Sequence, residues 1–203
     1  MGMRADPPRA TGREPRPGLT FARIREVLLG HVPRTLHDAS LRLAAVLIPL
    51  YEEGGTIWLL LTRRTDRVAV HKGQISFPGG AVEEEDPDPL HAALRETEEE
   101  LGIRREDVEV FGQVDDECTV VSGFLIRPFV GRIPHPYPLR PAEEEIAEVL
   151  RIPLAFFLDP RAVEIRRDPS GRLQYFYRYR GHVVWGATAR IIRRFTSLLE
   201  GDG

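Results

Sequence analysis

The sequence predicts one mixed α/β domain, and three observations carry that prediction. Short stretches of strand-like pattern are interleaved with three stretches of helical rhythm. Their spacing is too irregular for a series of βαβ units, which argues against a doubly wound sheet. The 203 residues, 42% of them hydrophobic, suit one core with small extras.

Residues 1–18 are rich in Pro, Gly and Arg and lack the apolar centre of a secretory signal. They are expected to form a flexible tail ahead of a single domain spanning 19–203. In TFARIREVLLGH, residues 20–31, Phe21, Ile24, Val27 and Leu28 recur at helical spacing. Thr20 can cap this leading helix and Gly30 can end it. Residues 41–50 and 56–63 read as strands joined by the turn YEEGG. KGQISFPGG, residues 72–80, holds a short strand and then a sharp loop. Leu90 to Leu101 is helical in pattern. Strands follow at 108–114 and 123–131, then a proline-rich connector at 135–141 and a strand at 144–152. PLAFFLD is too short to assign. DPSG turns between strands at 162–167 and 172–178, and a last helix covers 187–200.

Charge counts exclude several classes of function. Lys plus Arg is 28 and Asp plus Glu is 31, a net charge of -3, so no bulk basic footprint for nucleic acid exists. No apolar run reaches the roughly 18 residues of a membrane span. One cysteine precludes a disulfide framework and a four-thiolate zinc site. By elimination a cytoplasmic location is expected.

Nine acids lie between Gly80 and Gly102: Glu83, Glu84, Glu85, Asp86, Asp88, Glu96, Glu98, Glu99 and Glu100. On a helix Glu96 faces both Glu99 and Glu100, and like charges at these spacings repel. A cation relieves that repulsion; hard oxygen ligands suit Mg²⁺ or Mn²⁺. Taken without its surroundings, the segment reads equally well as a solvated acidic face. Glu98 points elsewhere, and Leu90, Ala93, Leu94, Thr97 and Leu101 turn inward. Ahead of the helix, FPGG allows close backbone approach at Gly79 and Gly80, and Gly102 suits the helix end. Arg95 can pair with an acid of the 83–86 loop.

Residues 80–103, ending in RETEEELGI, resemble the Nudix box. Here the loop is one residue longer than usual: the position eight before Arg95 is Pro87, so Asp86, or less directly Glu83, takes the bracing role. That longer loop resembles the coenzyme A pyrophosphatase branch, as do LLTRRTDRVAVHKGQISFPGG, TVVSGFLIRPFVG, EIAEVLRIPL and VWGATAR. Where the branch usually has an arginine two residues before the histidine, this chain has Ala69. The resemblance spans about residues 40–195 and implies an α/β/α sandwich around a mixed β-sheet.

The resemblance also implies hydrolysis of coenzyme A, or a derivative, at its central diphosphate. The implied metal ligands are Glu96, Glu99 and Glu100 with the Gly80 carbonyl. Glu96 is the first choice for a base or bridging role and Glu145 the second, with Glu148 also near. Arg64, Arg67, His71 and Lys72 form a basic segment suited to an anionic substrate. Ser122, Gly123 and Phe124 are implied to line the pantetheine side. Trp185 is expected in the core, Cys118 as an incidental thiol. A small-molecule partner is expected, without nucleic acid or membrane; apolar strand edges and the leading helix leave room for a homodimer. Another Nudix pyrophosphatase, acting on NADH, ADP-ribose or a dinucleoside polyphosphate, and a non-cleaving nucleotide binder are the alternatives.

Overall fold

Two long apolar strands organise the molecule, β1 (Arg42–Glu53) and β2 (Thr56–Arg64). They form an antiparallel hairpin whose turn places Gly54 and Gly55 at positive φ, 59° and 74°. A computed structural model describes residues 19–65, 73–119 and 123–201; the expected tail at 1–18 lies outside them.

On the other side of β1, β7 (Phe124–Arg132) runs parallel over nine residue pairs, from Arg42 with Phe124 to Leu50 with Arg132. Antiparallel neighbours complete a mixed sheet of eight strands among the described residues. β3 (Ile75–Ser76) and β8 (Ile146–Pro153) pair with β2, and β4 (Gly79–Ala81) pairs with β1. β5 (Glu109–Gln113) and β6 (Glu117–Cys118) pair with β7. A separate antiparallel sheet contains β9 (Val163–Arg167), β10 (Leu173–Tyr179) and β11 (His182–Val184).

Successive side chains of β1 point to opposite faces. Ile48 and Leu50, with Leu59 and Leu61 of β2, pack against α1 (Phe21–Gly30) and α4 (Gly186–Glu200) through Ile24, Leu28, Ile191, Ile192 and Phe195. Ala45 and Leu47 meet Ala92 and Ala93 of α2 (Pro89–Leu101) on the other face. The result is the α/β/α sandwich that was expected.

Local chemistry explains the helix ends. Thr20 Oγ1 accepts from Arg23 N at 3.2 Å. Asp88 caps α2 by accepting from His91 N at 2.9 Å, Pro89 opens the first turn, and Gly102 ends the helix at φ 69°. Three details differ from the sequence reading. PLAFFLD contains a one-turn helix, α3 (Leu154–Phe157), and β6 and β11 are additional short strands. Trp185 is not in the core: it occupies the residue before α4 and is 49% exposed.

Candidate active site

The FPGG loop lies flush against β1. Leu47 N donates to Pro78 O at 3.0 Å, and Gly79, Gly80 and Ala81 pair with Val46, Ala45 and Ala44. Gly79 has φ 147°, and a side chain there would overlap the Ala45 carbonyl. A side chain at Gly80 would overlap the Glu96 carboxylate. Gly79 is therefore required by close approach to backbone, whereas a side chain at Gly80 would have to displace the Glu96 carboxylate.

Arg95 ties the loop to the helix. Its Nε and Nη2 donate to Asp86 Oδ1 and Oδ2 at 3.1 and 3.0 Å, a parallel fork. Nη2 also donates to Ala81 O at 3.3 Å, while Nη1 reaches Glu96 Oε1 at 3.0 Å and Glu99 Oε2 at 3.2 Å. Asp86 further accepts from Glu83 N at 3.0 Å. The Arg95 hydrogen bonds hold the Asp86 carboxyl below the usual range, against the opposing effect of burial. Among the 83–86 acids it is thus Asp86 that faces Arg95.

The three box glutamates sit at different depths. Glu99 is 59% exposed, Glu96 is half-buried and Glu100 is only 5% exposed. The helical wheel grouped them on one side; in the fold Glu100 turns under α2 towards the sheet. It lies only about 60° from inward-facing Thr97 on the wheel, which explains its burial. Glu98 instead pairs with Arg105 at 2.9 Å.

Glu100 Oε2 is buried without a hydrogen-bond partner. Burial first, and then the Glu96 charge, push this carboxyl up to about 8; Glu145 adds to the rise, while Arg64 and a hydrogen bond from Gly79 oppose it. Burial also raises Glu96, with Arg95 pulling it down. Arg64 Nη2 lies 3.7 Å from Glu145 Oε2, and Thr65 N fixes the Glu145 carbonyl at 2.8 Å. Glu96, Glu100, Arg64 and Glu145 consequently share one electrostatic neighbourhood. Glu148 does not join it: it accepts from Arg63 Nε at 3.1 Å and lies 3.5 Å from His182.

Among the described residues, no three His, Cys, Asp or Glu side chains are gathered tightly enough to enclose a metal ion. Arg95 occupies Glu96 and Glu99. Even so, the donor set suits a divalent cation: all hard carboxylate oxygens, one of them buried without a partner.

Gly123, at φ 68°, accepts from Arg42 N through its carbonyl at 2.9 Å. Phe124 starts β7 in register with Arg42, whose guanidinium lies 5.6 Å over its ring. Register puts Phe124 on the face of Ala44, away from α2. Arg67, His71, Lys72 and Ser122 lie outside the described residues. A buried acid pair escaped the sequence reading: Asp116 receives a fork from Arg127 at 2.9 and 3.1 Å, and Glu117 receives three arginines. The arginine partners of Glu117 stand 55 to 77 residues away in sequence, so no local spacing reveals them.

A family model described as the NUDIX domain matches residues 41–175. An uncharacterized Nudix hydrolase, NudL, from Photorhabdus laumondii is 34% identical over 171 residues, covering 83% of this chain and 90% of that protein. The protein of the same name from Escherichia coli is 41% identical over 155 residues, covering 75% and 80%. In the solved structures, a C. elegans Ap4A hydrolase binary complex aligns with a TM-score of 0.53 at 17% identity, covering 79% of this chain and 99% of that one. A MutT protein from Methanosarcina mazei gives 0.51 at 16%, covering 82% and 98%. These two structural likenesses concern the fold alone. The matched domain and the sequence relatives establish that the chain belongs to the Nudix hydrolases, enzymes that cleave the pyrophosphate bond of nucleoside diphosphate derivatives and generally use divalent metal ions.

Proposed function

We propose that this chain hydrolyses the central diphosphate bond of coenzyme A or a derivative, with Mg²⁺ or Mn²⁺. The products are 3′,5′-ADP and 4′-phosphopantetheine, or its acylated form. The observation that carries this reading is the long box loop. Asp86 stands nine residues before Arg95 and meets it through a two-bond fork. That loop length, together with the segment from Leu60 to Gly80, supports the coenzyme A branch.

Glu96, Glu99, Glu100 and the Gly80 carbonyl are the groups proposed to hold the cation. When bound, a divalent ion supplies charge for the diphosphate and acidifies water. Arg95 keeps Glu96 and Glu99 side by side despite their repulsion. Glu100, raised to about 8, keeps its proton near neutral pH in the ion-free protein, so cation capture is linked to proton release. Glu96 and Glu145 are the two candidates for orienting or deprotonating the attacking water. Arg64 offsets the charge of the neighbouring acids and offers donors to a phosphate.

The test is a substrate panel with Mg²⁺ and Mn²⁺, read by product mass. Free, oxidised and acylated coenzyme A should yield 3′,5′-ADP faster than NADH, ADP-ribose or a dinucleoside polyphosphate is cleaved. Equal or faster turnover of one of the latter would overturn the substrate assignment. Calorimetric binding without any cleavage would overturn the enzymatic reading.

A further inference from the structure

Away from the box acids, a cavity of about 610 Å³ opens between α4, the start of β10 and the link from β5 to β6. Arg172, Arg190, Arg193 and Arg194 line it, with Tyr175 and Asp115. Beneath these arginines lies Glu117, fully buried. Its Oε1 accepts from Arg172 Nη2 at 2.8 Å and Arg190 Nε at 2.6 Å; its Oε2 accepts from Arg194 Nη2 at 2.8 Å. One carboxylate thus fixes three guanidiniums, two from α4 and one from the turn before β10.

The local charge does not balance. Four arginines face Asp115, Glu117 and Glu200, and Asp115 also bonds His31 at 2.9 Å and the backbone N of Arg34. Each guanidinium carries five donors. Among the described residues the Arg172 guanidinium donates only through Nη2, to Glu117 and the Cys118 carbonyl, while its backbone N donates to Asp168 Oδ1 at 3.0 Å. Arg190 uses Nε and one Nη, the latter for Gln174. Partly buried cationic donors in excess of their acids, held in a fixed fan at a cavity wall, suit a dianion. A phosphate matches guanidinium forks in shape as well as charge. The ring of Tyr175 and the apolar Leu173 and Leu198 give the organic remainder of such a ligand a surface.

The pocket is separate from the box acids. Glu117 pairs with Ile126, which pairs with Ala44; Gly80, beside Glu96, pairs with Ala45. Neighbouring residues on a strand face opposite ways, so the two sites lie on opposite faces of the sheet.

We propose that this pocket is a second anion site, which binds the phosphomonoester of a nucleotide-sized molecule. The inference goes beyond the substrate assignment and stands whichever diphosphate the enzyme cleaves. Binding of adenosine 3′-monophosphate and of inorganic phosphate is measured by calorimetry on the full chain in EDTA. Arg193→Gln is the principal variant because Arg193 pairs with Glu200 at 3.2 Å and leaves the Glu117 fan intact; Arg172→Gln is the second. Saturable binding is expected, weakened about tenfold by either substitution. Two kinetic arms identify the source of the phosphate. A rise in Arg193→Gln of KM for a substrate bearing a remote phosphate, relative to its dephosphorylated form, assigns the pocket to the substrate. An unchanged ratio with phosphate binding lost assigns it to a separate ligand. No saturable binding, or binding indifferent to Arg193→Gln in a protein with native circular dichroism, would overturn the proposal.

Discussion

Arg95 grips Asp86 through two parallel bonds of 3.1 and 3.0 Å, and the Asp86 side chain is 6% exposed. This fork is the mechanical link between the glycine loop and α2. Removing one partner leaves the other charged and poorly solvated. Asp86→Ala should therefore cost about 2 kcal/mol of stability. Arg95→Lys keeps the charge but loses the fork, and should also destabilise. Denaturant midpoints at pH 7 check both. Wild-type midpoints for both variants would show that the fork carries no stability.

Gly79 and Gly80 are neighbours with different obligations. Gly79→Ala drives a methyl group into the Ala45 carbonyl at φ 147°, and backbone cannot swing aside. About 3 kcal/mol of stability should be lost. Gly80→Ala meets only the end of the Glu96 side chain. It should cost roughly 1 kcal/mol or less of stability, yet lower turnover about a hundredfold by displacing Glu96. Melting temperatures and kcat, measured together, distinguish the two; equal losses of stability would contradict the geometry.

The buried Glu100 gives the ion-free enzyme a pH signature. Its carboxyl titrates near 4.5 when unfolded and at about 8 when folded. The folded state thus favours the protonated form. Its contribution to stability is complete below about 4.5 and is lost as pH rises to about 8. The raised Glu96 acts in the same direction, while the lowered Asp86 acts only at more acid pH. In EDTA, stability should fall from pH 5 to 8 by on the order of a few kcal/mol, and Glu100→Gln should flatten the slope. The same variant should abolish most turnover. A wild-type slope in Glu100→Gln, or near-normal activity with Mg²⁺, would refute this account.

Local signals made α2 and its loop legible: helical period, Gly102 at the end, FPGG at the start. Depth was harder. A wheel places Glu96, Glu99 and Glu100 on one side, but only the overlying sheet decides that Glu100 is covered and Glu99 is not. Likewise, hydrophobicity argued for a buried Trp185, whereas the end of β11 and the start of α4 leave it at the surface. Arg64 and Glu145 meet because β8 pairs back onto β2, a contact no sequence spacing encodes. β6 and β11, three residues or fewer, owe their existence to long neighbours rather than to pattern.

Glu145 and Glu148 are three positions apart but serve different surroundings. Glu145 precedes β8 and turns to Arg64, within the electrostatic reach of Glu100. Glu148 is engaged by Arg63 and His182 instead. If Glu145 handles the water's proton, Glu145→Gln should lower kcat by about 10²- to 10³-fold with little change in Mg²⁺ affinity. Glu148→Gln should stay within about twofold of wild type, as expected for a side chain away from the reacting atoms. Glu96→Gln should lower both kcat and cation affinity, since its carboxylate adjoins both the loop and Glu100. The acid limb of the kcat–pH profile should disappear in the variant that removes the base. Near-wild-type kcat in Glu145→Gln, with that limb lost in Glu96→Gln, transfers the role to Glu96 and leaves Arg64 as the counter-charge of a surface acid.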